Sequence, residues 1–294
     1  MDTQSLSNIG WVYLDGTLLQ ASEAQVSPFD RGYLFGHAAY EVTAVFDGKF
    51  VDLDGHLARL QRTLKGIEIE LPQLDFPALH RELIERNQLT EGLVYIQVTA
   101  GVPGPRDYYG PETLTPSVFM FVTHKQLISD AARKGITAIS LPDTRWQRRD
   151  LKTTQLLTQT LAYRAARRAG ADTAVLHEAG TVTEAASANL WIVTQDQRLV
   201  TRDLSSALLP GITRGRVLTL LGDAGWPIEE RAFTLGEMAM AREAFTSSTG
   251  VVIAPVLNLD GVRIGDGVPG PVTRAVQSAY YSYLGADLSA YDWL

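Results

Sequence analysis

The stretch Trp146-Gln-Arg-Arg-Asp-Leu-Lys152-Thr-Thr-Gln-Leu-Leu157 decides how the rest of the chain is interpreted. A lysine taken alone is most often a solvated surface residue, because lysine is rarely buried. Lys152 gains significance from the motifs that accompany it at fixed distances along the chain. These are Thr181-Val-Thr-Glu184, Asn189, Leu209-Pro-Gly-Ile-Thr-Arg214 and Thr246-Ser-Ser-Thr249, together with Arg59 upstream.

Composition and charge limit the possible classes of function. The chain has 294 residues, 45% of them apolar, which suffices for a sizeable core in one large domain or two smaller ones. A net charge of −7 argues against nucleic-acid and anionic-membrane partners, which select for clustered lysine and arginine. The sequence has no cysteine, and its five histidines form no i, i+4 pair, so no metal site is predicted.

The sequence shows no targeting or membrane segment. Residues 1–10 lack a charged region followed by an apolar run, and no stretch reaches the ~18 apolar residues of a spanning helix. We therefore expect a cytoplasmic enzyme with small-molecule substrates and no membrane partner.

The first part of the chain begins with predicted hairpins. Strands are predicted over 11–14 and 40–46, and an Asp-Gly turn follows each of them. A further strand over 50–53 completes the second hairpin. A helix is predicted over 54–66, with Asp54 as its N-cap and Gly66 as its stop. Its apolar stripe is formed by Leu57, Leu60 and Leu64, and Arg59 lies off that stripe.

A further helix is predicted over 76–88, and strands over 93–99 and 118–123. Between those strands, residues 100–116 hold three glycines and four prolines together with Arg106 and Tyr108. A long Gly/Pro loop in a compact domain is usually functional or disordered, and its aromatic residues favour function.

The pattern of elements restarts after residues 124–129. We expect a small domain over 1–123, a linker over 124–129 and a large domain over 130–294. The large domain is predicted to contain helices over 153–169, 211–224 and 271–284, and strands over 172–177, 181–184, 190–194, 244–246, 251–254 and 256–259.

The ordered motifs resemble those of the fold type IV (class IV) aminotransferases that use pyridoxal 5'-phosphate, and the resemblance covers nearly the whole chain. Within this family the sequence is most similar to D-amino-acid transaminases. The resemblance implies an α+β fold in two domains, a small N-terminal α/β domain and a larger C-terminal domain with pseudo-barrel sheets. It also implies pyridoxal phosphate as the cofactor.

The resemblance assigns a role to each motif. Lys152 is the lysine expected to form the Schiff base with the cofactor and to transfer the substrate proton. Glu184 is expected to keep the pyridine nitrogen protonated, and Leu209 to pack against the ring. The phosphate is expected at the amides of a helix N-terminus, with further polar ligands around it. These cofactor-binding residues are Arg59, Ile212, Thr213, Ser248 and Thr249.

The substrate carboxylate is expected to bind Tyr40, Arg106 and Tyr108. Branched-chain aminotransferases usually have phenylalanine at the first position, and a planar guanidinium can grip a carboxylate at two points. Tyr108 stands where D-amino-acid transaminases have histidine, which leaves the strictness of selection for D-amino acids open. In the family this loop reaches the site of a neighbouring subunit, so a homodimer with shared active sites is expected.

Several related activities stay open at this stage. Besides transamination of D-alanine or D-glutamate, the altered Tyr108 allows an (R)-selective amine transaminase or mixed activity. A branched-chain aminotransferase is disfavoured, because Gln97 occupies a position where those enzymes tend to have arginine. An aminodeoxychorismate lyase would eliminate pyruvate instead of transferring an amine.

Overall fold

A computed structural model describes residues 10–294, and its contacts divide the chain into two compact units. The first unit comprises the chain up to Leu127 together with Leu151–Gln155, and the second comprises Ile128–Asp150 and Leu156–Leu294. The segment around Lys152 thus groups with the first unit, whereas the sequence placed it in the large domain. Residues 1–9, which belong to the expected small domain and to the start where no targeting segment is predicted, lie outside the described residues.

The first unit contains a six-stranded antiparallel sheet in the order β2-β1-β6-β5-β3-β4. Alternate residues of its central strands are buried on one face, where Val94, Ile96 and Val98 line the core. The opposite face carries half-buried side chains such as Tyr95 and Gln97. The strands are β1 Trp11–Leu14, β2 Thr17–Gln20, β3 Ala38–Phe46, β4 Lys49–Val51, β5 Gly92–Thr99 and β6 Ser117–His124.

The short helix α1 Arg31–Phe35 precedes β3. Two further helices, α2 Leu53–Gly66 and α3 Phe76–Arg86, cover the buried face of this sheet. Leu60 and Leu64 of α2 are buried in the core, as their spacing predicts. The predicted N-cap of α2 is wrong, because the helix begins one residue earlier than expected. Asp52 holds the cap position in the left-handed region, and Asp54 lies within the first turn.

The second unit contains a nine-stranded mixed sheet in the order β12-β11-β10-β13-β14-β7-β8-β9, with β15 paired to β14. Its strands are β7 Ile136–Pro142, β8 Thr173–Glu178, β9 Thr181–Ala185, β10 Asn189–Val193, β11 Leu199–Thr201, β12 Ile228–Glu230, β13 Glu243–Ser248, β14 Val252–Leu259 and β15 Val262–Arg263. β9 at one end contacts β10 near the other, so the sheet curls back on itself. The expected pseudo-barrel and the α+β class are confirmed.

Two predicted strands form one strand in the structure. The prediction divided 251–254 from 256–259 at Pro255, but β14 runs through it, with Pro255 opposite Phe245 of β13. Parallel pairing with β7 begins only at Val256. The proline therefore lies where one neighbouring ladder ends and the other starts.

The helices of the second unit are α4 Asp130–Lys134, α5 Leu157–Arg168, α6 Ile212–Asp223, α7 Leu235–Ala239 and α8 Pro271–Leu284. The helix predicted over 153–169 starts later, at Leu157, because Thr153 and Thr154 pair instead with the beginning of β3. Over residues 10–294, none of the helices has the length and apolar character needed to cross a membrane.

Candidate active site

Lys152 lies beside Tyr40 in the first unit. Its carbonyl oxygen accepts a hydrogen bond from the Tyr40 amide at 3.0 Å, and its own amide donates to Thr63 Oγ1 at 3.2 Å. The Lys152 Nζ lies 4.3 Å from the centroid of the Tyr40 ring, within the range of a cation–π contact. The backbone of Lys152 is thus held by both β3 and α2, and its amine is directed to one side of β3.

An aromatic row extends from Tyr40 across the half-buried face of the sheet. The Tyr40 and Tyr95 rings stack with their centroids 5.5 Å apart, and Tyr95 donates a hydrogen bond to Gln97 Oε1 at 2.8 Å. Tyr40 and Gln97 are also directly opposite in the β3–β5 ladder. Gln97, which the sequence singled out, therefore lies next to the expected carboxylate-binding tyrosine.

The residue after Tyr40 points to the other, buried face of β3. There Glu41 accepts hydrogen bonds from Arg59 Nε at 2.7 Å and Nη2 at 2.8 Å, and its Oε2 lies 2.8 Å from His56 Nδ1. All three side chains are buried, with Arg59 6% exposed and Glu41 fully covered. His56 and Arg59 are three residues apart on α2, so they share the helix face that covers β3.

Charge pairing sets the protonation states in this cluster. Burial raises the pKa of Glu41, but Arg59 and His56 outweigh it and lower the pKa to about 2. Burial lowers the pKa of His56, and the contact with Glu41 opposes that shift. An ionised carboxylate can only accept, so His56 Nδ1 is the donor in this contact.

Sequence reasoning identified Arg59 but missed its partners. Glu41 and His56 carried a usable signal, since Glu41 follows Tyr40 directly and His56 has the i, i+3 spacing to Arg59. The local sequence pattern does not predict that α2 packs against β3, however. This packing brings the three side chains together.

Arg106 and Tyr108 contact each other on the loop between β5 and β6. Arg106 Nη2 donates a hydrogen bond to the Tyr108 hydroxyl at 2.7 Å, and its guanidinium lies over the rings of Tyr108 and Phe35 at 4.8 and 5.3 Å. Tyr108 is 71% exposed and the neighbouring Tyr109 94%. Arg106 and Tyr108, two of the three residues expected to bind the substrate carboxylate, thus form an exposed pair.

A buried arginine that the sequence did not indicate holds this loop. Arg31 of α1 donates to the carbonyl oxygens of Asp107 at 2.7 Å and Tyr108 at 3.2 Å. Its guanidinium also lies over Phe35, 4.8 Å from the ring centroid. Arg31 therefore fixes the backbone of the residues that immediately follow Arg106.

Glu184 is the centre of a polar cluster in the second unit. Its carboxylate contacts Arg145 Nη1 and accepts hydrogen bonds from Asn189 Nδ2 at 3.2 Å and from the Leu209 amide at 3.3 Å. Burial raises the pKa of Glu184, and the Arg145 guanidinium opposes that rise. Arg145 in turn contacts Asp143 through Nε at 3.0 Å and Nη2 at 2.7 Å. The structure thus brings Glu184 to the motif at Leu209 and adds Arg145 to the cluster.

The turn before α6 has the form of an anion-binding site. Gly211 is the N-cap of α6, where a Cβ atom would lie 2.1 Å from Asn189 Oδ1, so a larger residue would displace the Asn189 side chain. No side chain caps the first turn of α6, which leaves the amides of Ile212 and Thr213 to bind an anion. α6 also packs against β13, which ends at Ser248, and Thr249 is the next residue.

The chain is similar to known proteins over most of its length. The family model described as amino-transferase class IV matches residues 38–259. A D-alanine aminotransferase of Bacillus licheniformis is 36% identical over 270 residues, covering 91% of this chain and 95% of that protein. One from Staphylococcus haemolyticus is 34% identical over 276 residues, covering 93% and 97%.

A solved structure of the branched-chain amino acid aminotransferase of Escherichia coli superposes with a TM-score of 0.86 at 24% identity, covering 97% of this chain and 98% of that one. At this level of identity the likeness shows the fold alone.

Proposed function

This chain belongs to the class IV aminotransferases, and on that premise we propose that it moves amino groups between D-amino acids, such as D-alanine and D-glutamate, and 2-oxo acids. The observation that carries the proposal is the position of the Lys152 amine over the Tyr40 ring. Tyrosine at this place resembles the D-amino-acid enzymes. The relatives named above as D-alanine aminotransferases support the same reading.

We propose pyridoxal phosphate as the cofactor, because the turn before α6 and the buried Glu184 suit its phosphate and its ring nitrogen. When bound, this group supplies an aldehyde that takes up the amine and a ring that withdraws electrons from the substrate. The residues that would hold it are Lys152, Arg59, Glu184, Leu209, Ile212, Thr213, Ser248 and Thr249.

Each of these side chains has a separate task in the proposed reaction. The Lys152 amine would take the proton from the substrate Cα and return it during transfer. Glu184 would accept a hydrogen bond from the protonated ring nitrogen, and Arg145 keeps its carboxylate oriented. The amides of Ile212 and Thr213 would bind the phosphate at the helix N-terminus.

The substrate carboxylate would bind Arg106 and the Tyr40 hydroxyl. In the structure Arg106 already donates to a hydroxyl oxygen of the same loop. A carboxylate offers a charged acceptor and therefore forms a stronger bond than the Tyr108 phenol. Tyr108 would then supply a second donor to the substrate in place of the histidine of similar loops.

The test is the amine half-reaction on purified enzyme loaded with pyridoxal phosphate. D-alanine, L-leucine and (R)-1-phenylethylamine are mixed with it in separate runs, and the absorbance of the bound cofactor is followed together with release of the oxo product. Fast conversion by D-alanine alone supports the proposal. Conversion mainly by L-leucine, or none by any donor, would reject it in favour of a branched-chain enzyme or a lyase.

An (R)-selective amine transaminase is the second candidate, and one observation favours it. Arg106 lies on an exposed loop and is paired with Tyr108, so it has an alternative partner when the substrate has no carboxylate. Turnover of (R)-1-phenylethylamine with pyruvate at rates comparable to D-alanine would establish this activity.

We also propose that the enzyme is a homodimer. The exposed aromatic side chains of Tyr108 and Tyr109 support this assembly, because large apolar side chains grouped at a surface often mark a contact. Sedimentation velocity would show a dimer at micromolar concentration, and a monomer across the accessible range would reject the proposal.

A further inference from the structure

The carboxylate of Glu41 contacts none of the side chains expected to bind the substrate, yet it is buried in its ionised form. It accepts from one edge of the Arg59 guanidinium through both Nε and Nη2. A contact at two points fixes the plane of a guanidinium as well as its position. The orientation of Arg59 therefore depends on Glu41.

The carboxylate is itself held in place. Glu41 Oε2 accepts from both Arg59 Nη2 and His56 Nδ1, each at 2.8 Å, so the carboxylate plane is fixed by two side chains of α2. Leaving one partner of such a buried pair alone is strongly unfavourable, which keeps both in place. The result is a rigid support behind Arg59.

Charge and orientation act in opposite directions here. A carboxylate next to an anion-binding arginine reduces the local positive charge and so weakens the attraction for a phosphate. A role of Glu41 in phosphate binding must therefore come from orientation. Loss of the negative charge alone would strengthen phosphate binding, whereas loss of the orientation of Arg59 would weaken it.

We propose that Glu41 is a positioning residue, which holds Arg59 in the orientation that binds the phosphate of the cofactor. The inference rests on the proposed function, in which Arg59 is a phosphate ligand. It adds that a residue with no direct contact to the cofactor controls how tightly the phosphate is held.

The test measures binding of pyridoxal phosphate, and of pyridoxal without the phosphate, to the cofactor-free enzyme. Glu41→Gln is expected to weaken the affinity for pyridoxal phosphate at least tenfold and to leave the affinity for pyridoxal unchanged. Thr43→Val is the matched control, since Thr43 is buried on the same face of β3 two residues further on. It is expected to change neither affinity.

A double-variant cycle tests whether Glu41 acts through Arg59. Arg59→Met should weaken binding of pyridoxal phosphate further than Glu41→Gln does, and the combined variant should bind no more weakly than Arg59→Met alone. Additive losses would overturn the proposal, as would an increase in affinity in Glu41→Gln. An equal loss for pyridoxal would show a general structural effect and would also overturn it.

Two further outcomes can be distinguished from a failure of the positioning role. If the unaltered enzyme binds no pyridoxal phosphate, the proposed function fails before the role of Glu41 is addressed. If Glu41→Gln does not fold, Glu41→Asp replaces it, because aspartate keeps the charge but withdraws the carboxylate from Arg59. Unchanged affinity for pyridoxal phosphate in Glu41→Asp would then reject the positioning role.

Discussion

Arg59 and Arg106 are both expected to bind an anion, yet the structure holds them in opposite ways. Arg59 is buried and paired with an ionised carboxylate, whereas Arg106 is exposed and contacts a neutral phenol and two aromatic rings. Breaking a buried ion pair costs about 3–5 kcal/mol, and an exposed cation–π contact contributes about 0.5–1 kcal/mol. The proposed cofactor ligand is thus rigidly placed, and the proposed substrate ligand can change partners.

The largest effect is expected at Lys152. The two arginines are proposed to bind anions, whereas Lys152 is the proposed acid–base group. Lys152→Ala should lower transamination of D-alanine by about a thousandfold or more, because acid–base catalysis and covalent attachment are lost together. Lys65→Ala, an exposed lysine at the end of α2, is the control and should retain full activity. Near-normal turnover in Lys152→Ala would show that another residue moves the proton.

The next largest effect is a difference in stability between variants of Arg59 and Arg106. Arg59→Met leaves the Glu41 carboxylate buried without its two-point guanidinium partner and with only the His56 contact, and should lower the free energy of unfolding by about 3–5 kcal/mol. Arg106→Met removes exposed contacts and should lower it by less than about 1 kcal/mol. Urea unfolding of both variants measures the difference, and equal losses would break the contrast between a buried and an exposed site.

Acid should destabilise the buried region through His80. This side chain is fully buried and bonded to the Phe76 carbonyl oxygen, and burial lowers its pKa from 6.5 to about 4. Below pH 6.5 the unfolded chain binds the proton more readily, so stability falls between pH 6.5 and 4 by about 3 kcal/mol. The contribution of Glu41 is lost only below its ordinary value of 4.5.

Thermal unfolding at pH 7 and pH 5 measures this dependence. His80→Leu should show a smaller fall in midpoint than the unaltered enzyme, and the exposed His124→Gln should match the unaltered enzyme. An unchanged pH dependence in His80→Leu would place the acid-sensitive group elsewhere.

Arg31 connects the buried region with the exposed loop. Arg31→Met removes the donors to the Asp107 and Tyr108 carbonyls and should raise KM for D-alanine about tenfold, equivalent to about 1.4 kcal/mol. Cofactor affinity should stay unchanged, since Arg31 contacts the loop and not the Glu41 cluster. Arg81→Met, on the exposed face of α3, is the control. A loss of cofactor affinity in Arg31→Met would mean that the two regions are coupled.

Parts of the fold were predictable from local pattern. Strand β1 and helix α8 have the predicted bounds, because turn residues and helix stops mark their ends. The helix expected from Thr153 was wrong at its start, since Thr153 and Thr154 pair with β3, more than a hundred residues earlier in the chain. Local periodicity contains no information about such distant pairing.

The candidate site, like the fold, was predictable from the sequence only in part. Ordered motifs led to the prediction of Lys152 and Glu184 as site residues. In the structure the Lys152 amine lies over the Tyr40 ring, and the Glu184 carboxylate accepts from Asn189. The neighbouring residues Glu41, Arg31 and Arg145, which contact Arg59, the loop after Arg106 and Glu184 respectively, are ordinary charged residues in sequence. Their roles depend on tertiary contacts that bring a carboxylate or a carbonyl within reach of a guanidinium.

Tyr108→Phe is the smallest change and the finest test of the contrast. It removes the hydroxyl that accepts from Arg106 but keeps the ring below the guanidinium. A hydrogen bond from this guanidinium at an exposed site competes with water and contributes about 0.5–1.5 kcal/mol, so KM for D-alanine should change by no more than about tenfold. The direction shows which role dominates. A higher KM means that the hydroxyl binds the substrate carboxylate, and a lower KM means that it competes with the substrate for Arg106. Steady-state kinetics with D-alanine, compared with (R)-1-phenylethylamine as a donor without a carboxylate, distinguishes these cases. An equal change for both donors would indicate an altered loop conformation and would remove Tyr108 from the carboxylate site.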